Sequence, residues 1–278
     1  MGVPEKWRRV EGGIAARRAQ GGQRPFGDHF RMSFTDRQML KALRANADPL
    51  RVPMSRRFFR TGPGEYAEGD RFIGVTMPSL RALARRFAAV QLDQVDALLQ
   101  SPIHEARMLA LLLLVQAFRR GEESEQRRIY SLYLARTRHI DNWDLVDASA
   151  APIVGGWLSA RSRAPLRRLA RSRSLWERRI AIVATFWFIR QGDHEETFAI
   201  ADLLLADDHD LIHKAVGWML REAGNRDGDA LRRFLAPRHA RMPRTMLRYA
   251  IEKFPERERR LYLRVPHASS GRAERGRQ

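Results

Sequence analysis

From residue 35 onward, apolar side chains return every three or four positions. No run of four to eight residues alternates apolar with polar as a half-buried strand would. The pattern predicts an all-α fold. Thr35 or Asp36 opens a helix through Ala45, and a second is expected from Asp48 to Phe59, ahead of the break Thr61-Gly-Pro-Gly64. Further helices are expected over 78–88, 92–99, 102–119, 124–136, 142–158, 165–171, 175–191, 194–205, 209–223, 227–235, 243–253 and 255–263. Short helices joined by turns of a few residues bury their apolar faces on their neighbours, which points to antiparallel helix pairs stacked as an α-solenoid.

Three helix openings resemble one another: Ser101-Pro-Ile-His-Glu-Ala-Arg107, Ser174-Leu-Trp-Glu-Arg-Arg179 and Asp208-His-Asp-Leu-Ile-His-Lys214. Each sets a polar cap and a basic residue before an apolar helix, at intervals near one or two helical-hairpin periods. HEAT-like repeats with a concave basic surface fit this better than a four-helix bundle. The expected organisation is a helical repeat domain over 35–263, flanked by basic tails at 1–34 and 264–278 that read as disordered, with Met32 as an alternative start.

Charge changes the picture from fold to partner. The 51 basic residues outnumber the 32 acidic ones, giving a net charge of +19. Lysine occurs only at 6, 41, 214 and 253, a skew toward Arg that G+C-rich codon usage explains but that leaves the net charge unexplained. Duplex nucleic acid is the expected partner, because phosphate contacts release counterions; an anionic membrane surface is the weaker alternative. With no cysteine, disulfides, thiolate metal sites and thiol catalysis are excluded, and a reducing compartment fits. The longest apolar run, Leu109 to Val115, is too short to span a bilayer, and the N-terminus has no continuous apolar signal region. A cytoplasmic, nucleoid-associated protein without an obligate protein partner is expected.

The segment Ile140-Asp-Asn-Trp-Asp-Leu-Val-Asp147 holds the leading candidate. Asp141 is expected to cap its helix and Asp144 to complete a capping-box variant. Asp147 lies beyond the first turn, on the same face as Trp143, where neither capping nor the helix dipole accounts for it. An acid kept on the binding face of a cationic protein serves to oppose positive charge arising in a reaction, or else it pairs with an arginine and stiffens the fold. In the helix from Leu175, Trp176, Ile180, Val183 and Trp187 form a stripe with Arg179 at its edge, placed either for a phosphate or for a core ion pair. Trp218 falls between apolar Leu211 and Ala215 and the basic Lys214 and Arg221, a mixture suited to a sugar-phosphate backbone and equally to a core tryptophan. Arg56, Arg57, Arg60, Arg244 and Arg248 are further DNA-binding candidates, each also explained by a solvated basic face. His209-Asp-Leu-Ile-His213 imitates a zinc motif, but His209 sits at a helix start and no third ligand is evident, so no metal is expected. No phosphate-binding loop, nucleophile elbow or dinucleotide fingerprint occurs, and no cofactor is expected.

At Asn142-Trp-Asp-Leu-Val-Asp147, Trp176-Glu-Arg-Arg179 and Lys214-Ala-Val-Gly-Trp-Met-Leu-Arg-Glu222, the sequence resembles the AlkD-like family of DNA alkylation repair glycosylases, which are HEAT-like solenoids. Gly74-Val-Thr-Met-Pro78 and Arg81-Ala-Leu-Ala-Arg85 extend the likeness, which covers about 35–263. The resemblance implies excision of purines alkylated at N3 or N7, without drawing the base into a deep pocket. It casts Asp147 as the catalytic carboxylate, Trp143 and Trp218 as flanking the deoxyribose, and Arg179 as holding a phosphate. Two alternatives stand beside it: a non-catalytic DNA-structure binder of the same family, and a HEAT-like scaffold for RNA or acidic proteins.

Overall fold

The structure, a computed structural model, describes residues 34–264. Fourteen α-helices of seven residues or more carry the chain among the described residues: α1 (Asp36–Arg44), α2 (Val52–Phe59), α3 (Met77–Arg86), α4 (Leu92–Leu99), α5 (His104–Arg120), α6 (Glu123–Ala135), α7 (Trp143–Ala150), α8 (Ala164–Ala170), α9 (Leu175–Ala184), α10 (Glu195–Leu203), α11 (Asp210–Gly224), α12 (Gly228–Leu235), α13 (Arg244–Ala250) and α14 (Glu256–Arg264). The only pairing of strand type among the described residues is an isolated bridge between Arg71 and Ile103. The expected tails fall outside the described residues except at their inner ends. Phe34 sets its ring edge-on to Phe87 at 5.0 Å, and Arg264 closes α14.

Local chemistry accounts for the boundaries. Thr35 caps α1 in a reciprocal box, accepting from the Gln38 N–H at 3.2 Å while the Gln38 side chain accepts from Thr35 N–H at 2.9 Å. The helix expected over 142–158 is one rod with a wide turn in it: α7 passes through a π turn, Ala151–Gly155, into a last helical segment, Gly156–Leu158. Pro152 lies in that turn, where it lacks the N–H that a regular ladder would use. The helix expected over 175–191 is likewise interrupted. Thr185 donates its hydroxyl to Ile182 O at 2.7 Å, and the chain resumes as a short turn, Phe186–Ile189.

The helices form an α-solenoid of two layers. Helices α3, α5, α7, α9, α11 and α13 pack in succession, and α4, α6, α8, α10 and α12 lie against that row. One apolar core runs the length of the stack through buried Leu43, Leu99, Leu114, Ile153, Ile182, Val216 and Met246. Each such side chain contributes roughly 1.5–3 kcal/mol on burial. The tightest approach is between α11 and α13. A Cβ on Gly217 would stand 2.5 Å from both Met246 O and Tyr249 Cβ, so only glycine lets these helices meet. Arginine forks tie successive units together: Arg136 to Asp96, Arg167 to Glu196, Arg178 to Asp207, Arg238 to Asp202 and Arg232 to Glu258 each make two bonds, across 26 to 40 residues of chain.

Candidate active site

Helix α7 begins later than its sequence predicts. Asn142, not Asp141, is the N-cap, its Oδ1 accepting from Trp143 N–H at 2.8 Å. The expected Asp141–Asp144 box is absent because both acids are engaged elsewhere. Asp141 lies 3.1 Å from the Arg107 guanidinium, and Asp144 accepts from Leu145 N–H at 2.8 Å and from His104.

Asp147 faces Arg179 of α9. Nε and Nη2 donate to its two oxygens at 2.9 and 2.8 Å, while Nη1 donates to Leu211 O at 2.7 Å. The pair is largely covered, with side-chain exposures of 6% for Arg179 and 14% for Asp147. Burial pushes the Asp147 carboxyl above the ordinary carboxylate range; Arg179 pulls it back, and neighbouring Asp144 adds to the upward push. Arg179 is thus turned onto Asp147 rather than outward to solvent.

Trp143 is half-buried among aromatic rings from the segment before α3. Phe59 stacks on it at 5.4 Å, exposed Phe58 meets it edge-on at 5.6 Å, and Tyr66 is hydrogen-bonded to it. Tyr66 also reaches Trp176 edge-on at 6.0 Å, so Trp176 opens toward this cluster instead of only extending the α9 core stripe. Trp218 is half-buried beside Phe186 at 5.9 Å, and its indole N–H donates to Glu222 at 3.1 Å.

The first turn of α5 buries three charged residues, His104, Glu105 and Arg107. His104 bridges Asp70 at 2.8 Å and Asp144 at 2.9 Å, and Arg107 donates to Asp70 at 2.9 Å. Glu105 accepts from Gly74 N–H at 2.8 Å and from Ile73 N–H at 3.1 Å. Gly74 has a φ of +84°, and a Cβ there would strike Asp48 O, so this loop is moulded around glycine.

A profile of the family described as DNA alkylation repair enzyme matches residues 39–254, a span that holds every residue of the candidate site. The chain belongs to that family. A solved structure described as a predicted DNA alkylation repair enzyme from Enterococcus faecalis shares the fold, with a TM-score of 0.60 and 16% identity over 76% of this chain and 98% of that one. No curated protein matches the sequence.

The remaining DNA-binding candidates of this DNA alkylation repair family member divide by environment. Arg56, Arg57, Arg60 and Arg248 are exposed. Lys214 is half-exposed and pairs with Asp210 at 2.6 Å. Arg221 is buried and held by Glu252 and Glu222, and Arg244 donates to Leu263 O at 2.8 Å. His209 caps α11, its Nδ1 accepting from Leu211 N–H at 3.1 Å, as its position at a helix start predicts. Sequence reasoning missed Phe58, Phe59, Tyr66, Asp70 and His104. The detectable signals were two adjacent phenylalanines among arginines and three chargeable residues opening the helix with the longest apolar run.

Proposed function

We propose that this DNA alkylation repair enzyme is a glycosylase that hydrolyses the N-glycosidic bond of N3- or N7-alkylated, cationic purines in duplex DNA. The observation that carries this reading is Asp147: a carboxylate held in place by two bonds from Arg179, one helical turn from Trp143. Each oxygen accepts one bond from Arg179 and keeps a further lone-pair direction for a water or for a developing cation.

An alkylated purine that already carries positive charge departs as a neutral base, so its leaving step needs no protonation. Positive charge then accumulates on the sugar, where a fixed carboxylate stabilises it more than in the ground state. Asp147 also positions water for attack on the anomeric carbon. The Trp143 ring lends its electron-rich face to the same charge, worth ~0.5–2 kcal/mol, and Trp218 is assigned the same task from α11. Arg56, Arg57, Arg60 and Arg248 are assigned to phosphates of the duplex, which the solenoid receives on a concave, HEAT-like surface. Arg179 and Arg221 serve the site through what they hold, Asp147 and Glu222, their own charges being engaged there. The protein works on the nucleoid in the cytoplasm.

The test is release of free base from duplex containing N7-methylguanine by wild type and by Asp147→Asn. The variant should lose on the order of 10²–10³ in rate while still binding DNA. A second reading draws on the same ion pair: Arg179 neutralises Asp147, as a purely structural salt bridge in a DNA-structure binder would. Binding without release of either N7-methylguanine or N3-methyladenine would favour that binder.

A further inference from the structure

We propose that His104 is a positioning residue, which through its two ring nitrogens locks the loop carrying Tyr66 to the helix turn carrying Trp143 and Asp147. Nδ1 lies 2.8 Å from Asp70 and Nε2 lies 2.9 Å from Asp144, with side-chain exposures of 3% for the histidine, 7% for Asp70 and 17% for Asp144. A carboxylate only accepts, so the geometry requires a proton on both nitrogens. A neutral ring would set one nitrogen lone pair against a carboxylate lone pair. The imidazolium also sits between rings, stacked on Phe72 at 4.4 Å and tilted against Phe59 at 5.0 Å. Phe59 in turn stacks on Trp143, so His104 reaches the site by two routes, one ionic and one aromatic.

The charges around the ring are accounted for. Asp70 is shared with Arg107, which also faces Asp141; Asp144 faces Tyr66 and, along α7, Asp147. Glu105 is turned away onto the N–H groups of Ile73 and Gly74. Burial pulls the imidazole toward neutrality, but Asp144 and Asp70 together outweigh it and hold its pKa up to about 9. The lock is therefore closed below the ordinary histidine value of 6.5 and stays closed at neutral pH. It opens as pH rises through about 9.

The rate arm of the test rests on the glycosylase reading, whereas a spectroscopic arm does not. In protein labelled with ¹⁵N-histidine, the His104 ring should show two protonated nitrogens well above pH 6.5 and lose a proton only near 9. A neutral ring titrating near 6.5 would overturn the proposal. His104→Gln should shift the indole N–H resonance of Trp143, cut excision on the order of 10–100-fold at unchanged duplex affinity, and abolish the alkaline limb of the rate profile. A folded His104→Gln protein with an unmoved Trp143 resonance and an unaltered profile would sink the idea. Should that variant not fold, Asp144→Asn, which leaves Asp70 bound to His104 and Arg107, takes the same measurements. If wild type releases no base at all, the glycosylase reading fails, while the resonances of His104 and Trp143 still decide the lock.

Discussion

Each oxygen of Asp147 takes one of two parallel bonds from Arg179, and under the proposed glycosylase reading this pairing sets the acid side of the chemistry. Burial favours the protonated acid and Arg179 opposes it, so Arg179→Gln should raise the Asp147 pKa further. Only the anion can stabilise a sugar cation. The expected outcome is an acid limb of the excision profile displaced to higher pH, read by single-turnover rates. Urea unfolding should also show a loss on the order of 1–3 kcal/mol from a buried carboxyl left short of its partner. That Asp147 lacks a capping role, and that it shares a face with Trp143, was legible in the sequence, because both follow from spacing within one helix. Its pairing with Arg179 was one of two open readings, since spacing on α9 alone cannot say which way a guanidinium turns. Tyr66 and His104 were not legible: their partners lie far along the chain, and only the folded stack brings them to α7.

At the scale of the element, periodicity predicted nearly every helix, while the ends followed hydrogen bonds that periodicity does not contain. Asn142 displaced Asp141 as the α7 cap because Asp141 pairs with Arg107. The π turn after α7 and the break at Thr185 escaped for a related reason, as apolar side chains continue through both. Close packing makes its own demand at Gly217. Replacing it with alanine would force a methyl to within 2.5 Å of Met246 O and part α11 from α13. Gly217→Ala should destabilise the fold by about 1–3 kcal/mol, seen as a lower urea midpoint, even though alanine is the better helix former.

For the whole molecule, the net charge of +19 was the signal for a polyanionic partner, but it did not say which arginines were free to meet one. The structure separates those locked in forks between helices from those facing solvent. If Arg56, Arg57 and Arg60 each hold a phosphate, replacing all three with Gln should flatten the plot of log affinity against log salt by roughly 0.9 for every phosphate no longer neutralised. Arg221→Gln should leave that slope unchanged and lower the melting temperature instead, because its charge is already engaged by Glu252 and Glu222. Equal slopes for the triple variant and wild type would remove α2 from the binding surface.

The arginine forks also fix how the solenoid comes apart. Each one joins a unit to its neighbour and none spans the whole stack, so stability is distributed like links in a chain. Fraying from the α14 end meets Arg232 and Glu258 first, then Arg238 and Asp202, and each link is a place where opening can pause. The segment from His104 to Arg179, which holds most of the candidate site, lies behind those two links, sheltered from fraying that begins at α14.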